Sequence, residues 1–280
     1  MRKAVISLII FATATCGCFL NSKSSVPWGL IAHQLRPGSS GGTGGSGSTD
    51  IPQIFEEFNF QWNGSYSPDS LWRRASWVGT GQNMFTLDNA VVESSYSGAT
   101  EGVLKLTVTA GKLEGGEIQS VGDGGSNFSY GYYEVRMKVA KESGAAGCCV
   151  SFFWIQAPGY GPGEIDIEFL TNEAWTATSG AVHYSVHPAH TSVKRNLPFN
   201  PSSDFHRYGF LWTPTQVIYT VDGVAVYTFN SGVPASAPGY IMANAWTGAP
   251  TWGGGPPSQN ATSVYDWIKY YPNVTEIPNE

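Results

Sequence analysis

Residues 216–229 read QVIYTVDGVAVYTF, and this stretch decides the fold class. Two runs of β-branched and aromatic residues flank Asp222-Gly223, a pair suited to a two-residue hairpin turn because both turn positions need positive φ. The same period of two recurs upstream. In YEVRMKV (133–139), Glu134, Arg136 and Lys138 alternate with Val135, Met137 and Val139; Leu104, Leu106 and Val108 alternate with Lys105, Thr107 and Thr109. Both are patterns of half-buried strands. No stretch has the 3.6-residue period of an amphipathic helix, and Gly and Pro punctuate many short runs, so two packed antiparallel sheets are expected.

Composition points the same way. The 280 residues are 41% hydrophobic, 14% aromatic and only 13% charged, with 34 Gly and 17 Pro. That mixture is too apolar for a disordered chain and too rich in Gly and Pro for a helical bundle. A net charge of -6 with no Lys/Arg stripe argues against a nucleic-acid partner, which would be held by neutralising phosphates. A neutral polymer or a small ligand suits the chain better.

Arg2 and Lys3 precede an apolar run from Ala4 to Ala14, too short to cross a bilayer comfortably, and Ala12-Thr13-Ala14 supplies small residues for cleavage. Residues 1–18 are therefore expected to be a signal peptide, and the protein to be secreted or extracellular. The alternative is a cell-surface lipoprotein with a lipid anchor at Cys16 or Cys18. PGSSGGTGGSGST (37–49) buries nothing, so 19–50 is expected to be a Gly/Ser-rich disordered linker and 51–280 a β-sandwich domain. No later stretch reaches membrane-spanning length, and a monomer is expected. Cys148 and Cys149 are adjacent, cannot staple distant segments, and read as two small apolar thiols entering a buried strand.

The chemistry is concentrated in GEIDIEFL (163–170). Glu164, Asp166 and Glu168 alternate with Ile165, Ile167 and Phe169, so on a strand three carboxyl groups share one face. Like charges so placed lower strand stability, which suggests a purpose. Cα atoms at i and i+4 lie about 13 Å apart at roughly 3.3 Å per residue. Side chains leaning inward can shorten this to the roughly 5 to 5.5 Å separation of retaining glycoside hydrolysis. Asp166, between the two Glu residues, would share a proton or hydrogen bond with the nucleophile. A solvated edge face is the alternative for a bare acid triplet. Calcium is a poorer one, since alternating strand acids diverge too far to wrap one ion.

GEIDIEFL, with YGYYEVRMKVA (130–140), FHRYGFLWTPTQVIYTVDG (205–223), IMANAWTG (241–248) and YDWIKYY (265–271), resembles glycoside hydrolase family sixteen, particularly its lichenase-like members. The likeness runs from about Asn83 to Tyr271. It implies a jelly-roll β-sandwich with a concave glucan-binding cleft, and a retaining double displacement with Glu164 as nucleophile, Asp166 as assisting acid and Glu168 as general acid/base. It also implies that Asn83, Glu117, Asn244 and Trp246 line sugar subsites with Phe153, and that Asp266 belongs to a structural calcium site on the far face; the reaction itself requires no cofactor.

There are departures. Gln119 stands where lichenases usually carry Arg, Pro162 where they carry Trp, and no Cys pair ties the N-terminal loop. His183 in AVHYS occupies a position where laminarinase-like members have a cleft His, whereas EIDIE lacks their extra residue. Mixed-linkage β-1,3-1,4-glucan is the favoured substrate on this likeness. A β-1,3-glucanase, a xyloglucan-type transglycosylase and a noncatalytic glycan-binding sandwich are the alternatives.

Overall fold

The computed structural model describes residues 51–121, 127–140 and 147–279. The expected signal peptide and linker, with Cys16 and Cys18, lie outside these residues. In chain order the described strands are β1 (Ile54–Glu56), β2 (Trp72–Arg74), β3 (Met84–Phe85), β4 (Ala90–Glu93), β5 (Val103–Val108), β6 (Glu114–Ser120), β7 (Gly131–Lys138) and β8 (Cys149–Gln156). They continue with β9 (Glu164–Leu170), β10 (Gly180–His187), β11 (Thr191–Leu197), β12 (His206–Trp212), β13 (Val217–Val221), β14 (Val224–Phe229), β15 (Gly239–Trp246) and β16 (Ala261–Pro272).

One sheet runs β14-β13-β12-β7-β16-β5-β4 with β1 beside β16; the other runs β11-β10-β9-β8-β15-β6-β2 with β3 beside β6. Apart from the parallel β3–β6 pair, every strand pair is antiparallel. The 216–229 stretch forms the expected hairpin, Asp222 and Gly223 both adopting positive φ (50° and 79°).

Period-two alternation builds the core. Ile165, Ile167 and Phe169 of β9, Phe152 and Trp154 of β8, and Val182, Tyr184 and Val186 of β10 face Val135, Tyr208, Phe210, Trp212 and Tyr219 of the opposite sheet, all in one cluster. Because these side chains point inward, their neighbours along each strand must point out. The second sheet is thereby left with an outer face of its own. Among the described residues no helix is long and apolar enough to cross a membrane.

On the other sheet, Asp266 differs from expectation. It is the extra residue of a bulge in β16 between Tyr265 and Trp267, and it is fully buried. Its Oδ1 accepts hydrogen bonds from the Thr100 backbone N–H (2.8 Å) and hydroxyl (2.9 Å). Its Oδ2 is paired with the Arg136 guanidinium. The same Arg136 nitrogen donates to the Gly98 carbonyl at 3.0 Å, and the guanidinium lies 4.8 Å from the Phe205 ring centre.

Asp266 itself does not fit a calcium ligand: both of its carboxyl oxygens are taken by protein donors, one of them a guanidinium. Arg136→Met is expected to destabilise by about 3–5 kcal/mol, the usual result of leaving a buried charge unpaired. In thermal melts that is roughly 2–4 °C per kcal/mol. The same melts should be indifferent to a calcium chelator, and a chelator-induced fall in the midpoint would refute this account.

Candidate active site

The outer face of the second sheet is organised in rows that run across its strands. Pairing sets Glu168 of β9 between Ser151 of β8 and His183 of β10. The row extends through Asn244 to Glu117 on one side and to Lys194 on the other. A second row joins Arg73, Gln119, Met242, Phe153, Asp166 and Ser185. Glu164 stands between Ile155 and His187 in a third. Paired residues in adjacent strands point to the same face, so side chains distant in sequence converge on one surface.

The three acids are largely withdrawn from water, and this controls their protonation. Burial, offset by a hydrogen bond with Asp166 and reinforced by the charge of Glu168, holds Glu164 above the usual carboxylate range. Burial and then the charges of Glu164 and Glu168 hold Asp166 well above the usual carboxylate range, and its hydrogen bond to Glu164 acts in the same sense. Asp166 is therefore the natural holder of a proton donated toward a Glu164 carboxylate, the two titrating as a pair. His187 Nε2 lies 3.6 Å from Asp166 Oδ2, beyond direct hydrogen-bond reach.

Glu168 is also raised by burial, with Trp252, Cys149 and the positive charge of His183 opposing. Its Oε1 accepts a hydrogen bond from Trp252 Nε1 at 3.0 Å. The arrangement thus offers a carboxylate for attack and, on the same face four residues along, a carboxyl group able to give and take a proton.

Glu117, Gln119, Phe153, His183, Asn244 and Trp246 all lie on this outer face and are all buried. Asn244 Nδ2 donates to Glu117 Oε2 at 3.0 Å. The remaining Asn244 Oδ1 is buried with no hydrogen-bond partner, whereas Glu117 is also reached by Trp77. His183 Nε2 pairs with Glu173 at 2.9 Å, Glu173 also binding Lys194 at 2.8 Å, and the His183 ring meets Trp252 edge-on. Trp246 packs with Phe85, Cys149 and Leu170.

Asn83 differs from the rest: it is fully enclosed, and its Oδ1 accepts from the Thr247 backbone N–H at 3.2 Å. Its Oδ1 thus braces the backbone after Trp246, while its Nδ2 is buried with no hydrogen-bond partner.

Four contributors escaped the sequence reading. Cys149 and Trp252 both touch Glu168. Arg73 Nη2 donates to Gln119 Oε1 at 2.6 Å, and its guanidinium lies 4.9 Å from the Trp77 ring centre. The cleft face thus has its guanidinium one strand away from position 119. Period two, counted back from Phe153 through Ser151, would have placed Cys149; nothing local marks Arg73, Trp77 or Trp252.

Burial pushes Glu117 up to about 8, against the lowering influence of Asn244, Arg73 and Trp77. Its folded value exceeds the ordinary 4.5, so its contribution to stability is present below that value and is lost as pH rises from there through about 8. Glu117→Gln should therefore narrow the gap between unfolding midpoints measured at about pH 5 and about pH 8.5, by several degrees at roughly 2–4 °C per kcal/mol. An unchanged gap would show that Glu117 does not carry this dependence.

Comparison with known proteins agrees with the geometry. Residues 79–269 match the family described as Glycosyl hydrolases family 16. A β-glucanase of Paenibacillus polymyxa is 36% identical over 217 residues, covering 75% of this chain and 86% of that protein. A β-glucanase of Bacillus amyloliquefaciens is 35% identical over 235 residues, covering 81% and 88%. The crystal structure of a β-1,3-1,4-glucanase (lichenase) from a mouse hindgut metagenome superposes with a TM-score of 0.62 at 30% identity, over 78% of this chain and 98% of that one. With its jelly-roll sheets and its acids on the outer face of one of them, the chain belongs to glycosyl hydrolase family 16, among the lichenase-like members.

Proposed function

We propose that the chain is a secreted, endo-acting β-glucanase that hydrolyses mixed-linkage β-1,3-1,4-glucan with retention of configuration. One observation carries the reading: Glu164, Asp166 and Glu168 lie on one sheet face, at the crossing of rows of polar and aromatic groups supplied by six neighbouring strands. Strands are spaced about 4.8 Å apart, close to the length of one pyranose, so a glucan lying across them meets successive strands with successive sugars. The linkage assignment is supported by the likeness to a solved β-1,3-1,4-glucanase (lichenase).

In this mechanism Glu168 protonates the departing glycosidic oxygen while Glu164 attacks the anomeric carbon. The C–O bond to the leaving sugar breaks as the bond to Glu164 forms. Glu168, now ionised, takes a proton from water, which displaces Glu164 from the same face the leaving group occupied. Asp166 holds its proton toward Glu164 and so stabilises the ionised nucleophile before attack. Asp166→Asn puts a weaker amide N–H where the acid O–H stood and cannot pass a proton to and from Glu164, and is expected to lower kcat by about tenfold to a hundredfold, the scale of one hydrogen bond to a charged group. A loss as large as that of either Glu would make Asp166 a principal reactant instead.

The deciding experiment is incubation with barley mixed-linkage glucan, laminarin and xyloglucan, with products sized and the first-formed anomer read by NMR. Short oligosaccharides from mixed-linkage glucan, initially as β anomers, are expected. Cleavage of laminarin alone would move the assignment to a β-1,3-glucanase. Chain exchange on xyloglucan with an added acceptor would make it a transglycosylase, and binding without cleavage a glycan-binding protein. The N-terminal segment should direct export, as a soluble monomer if cleaved before Cys16 and Cys18 can be acylated, or as a lipid-anchored surface protein otherwise.

A further inference from the structure

Cys148 and Cys149 are consecutive strand residues, so they face opposite sides of the sheet. Cys148 enters the inter-sheet core, whereas Cys149 joins Ala75, Phe85, Leu170 and Trp246 on the outer face, with Trp252 packed against them. Its Sγ is fully buried and stands 3.2 Å from Glu168 Oε1 and 3.5 Å from Ser151 Oγ. Burial and the charge of Glu168 hold the thiol well above its ordinary range, so it remains S–H and acts as a donor. Trp252 Nε1 donates to the same carboxyl oxygen. A carboxyl group left alone can exchange its two oxygens by rotation. Two donors on one oxygen remove that freedom.

We propose that Cys149 is a positioning residue for the acid/base: its S–H, with the Trp252 N–H, clamps Oε1 of Glu168 and leaves Oε2 as the oxygen that delivers and recovers the proton. This rests on the assignment of Glu168 made above. The other groups facing Glu168 are Glu164 and Asp166 on its own strand, Ser151 on β8, and His183 on β10, with Glu173 and Lys194 behind that histidine. Among these Cys149 is singular in being a neutral titratable donor in direct contact with Oε1. A donor to the ionised form favours it, so removing the S–H should make Glu168 hold its proton to higher pH.

The test compares Cys149→Val, which fills similar volume without a donor, with Cys149→Ser, which keeps one. For Cys149→Val the alkaline limb of kcat/KM should move up by about half a pH unit and kcat should fall roughly three- to tenfold, as for loss of one weak donor; KM should stay put. Cys149→Ser should restore the limb and most of kcat. A Cys149→Val profile that overlays the wild type, or a serine variant that behaves like the valine one, overturns the proposal; the second result would reduce Cys149 to packing.

A double-mutant cycle separates this failure from that of the parent reading. If Cys149 acts through Glu168, adding Cys149→Val to Glu168→Gln should leave the residual rate unchanged. A further three- to tenfold loss in that background overturns the positioning role alone. A Glu168→Gln enzyme of near-normal activity removes the acid/base assignment, and the proposal with it.

Discussion

Replacing Glu164 with Gln is expected to abolish turnover of mixed-linkage glucan, by on the order of 10⁴-fold or more, as when the attacking group of a covalent mechanism is removed. Gln has nearly the shape of Glu, so the hydrogen bond with Asp166 can persist, but the amide has no carboxylate to form the glycosyl-enzyme. The fold should not suffer. Glu164 is held among two other buried acids whose charges raise one another, and taking one charge away relieves that repulsion. The unfolding midpoint should thus stay level or rise, most visibly at alkaline pH, where the wild type must ionise these groups. Inactivity with equal or greater stability is the signature of a lost nucleophile. Turnover within tenfold of wild type would place the attacking group elsewhere.

The legible parts of this protein were those set by neighbours in the chain. The 222–223 turn could be read because a two-residue hairpin constrains only its own φ angles, and the shared face of Glu164, Asp166 and Glu168 followed from the strand period. What lay hidden depends on register between strands far apart in sequence. Nothing in residues 72–74 announces that Arg73 will face Gln119. Nor does the loop after Trp246 reveal that Trp252 will fold back to Glu168.

Asp266 shows a different limit. A similar residue in relatives implied a calcium site, but the partner of a buried carboxylate is decided by whichever cation reaches it. Here the β16 bulge and the Arg136 side chain on the adjacent β7 supply one internally. Asn83 is similar: the resemblance implied a sugar contact, and the fold also turns the amide oxygen toward the Thr247 backbone.

Glu168→Gln should be damaging in a way that depends on the leaving group, and this dependence identifies its role. On glucan the departing sugar oxygen is a poor leaving group and requires a proton; losing the acid should reduce kcat/KM by on the order of 10²–10⁴-fold. On an oligoglucoside with a nitrophenol leaving group, which departs without protonation, the first step should be largely spared. The second step still lacks its base, so glycosyl-enzyme should accumulate and appear as a burst of nitrophenol followed by slow turnover. Azide, which needs no deprotonation to attack, should restore turnover and yield a β-glycosyl azide, its configuration retained because it enters from the face the leaving group vacated. The pH profile supplies the sign. Burial raises Glu168, so in the wild type its acid form survives above the ordinary carboxylate range and its ionisation produces the alkaline fall in kcat/KM. Glutamine does not titrate, and in the variant that fall should disappear while the acidic limb, set by the Glu164–Asp166 pair, remains. An alkaline limb that persists in Glu168→Gln, or a variant that azide cannot rescue, would assign the acid/base to another group, with His187, beside Glu164 on β10, the first to examine.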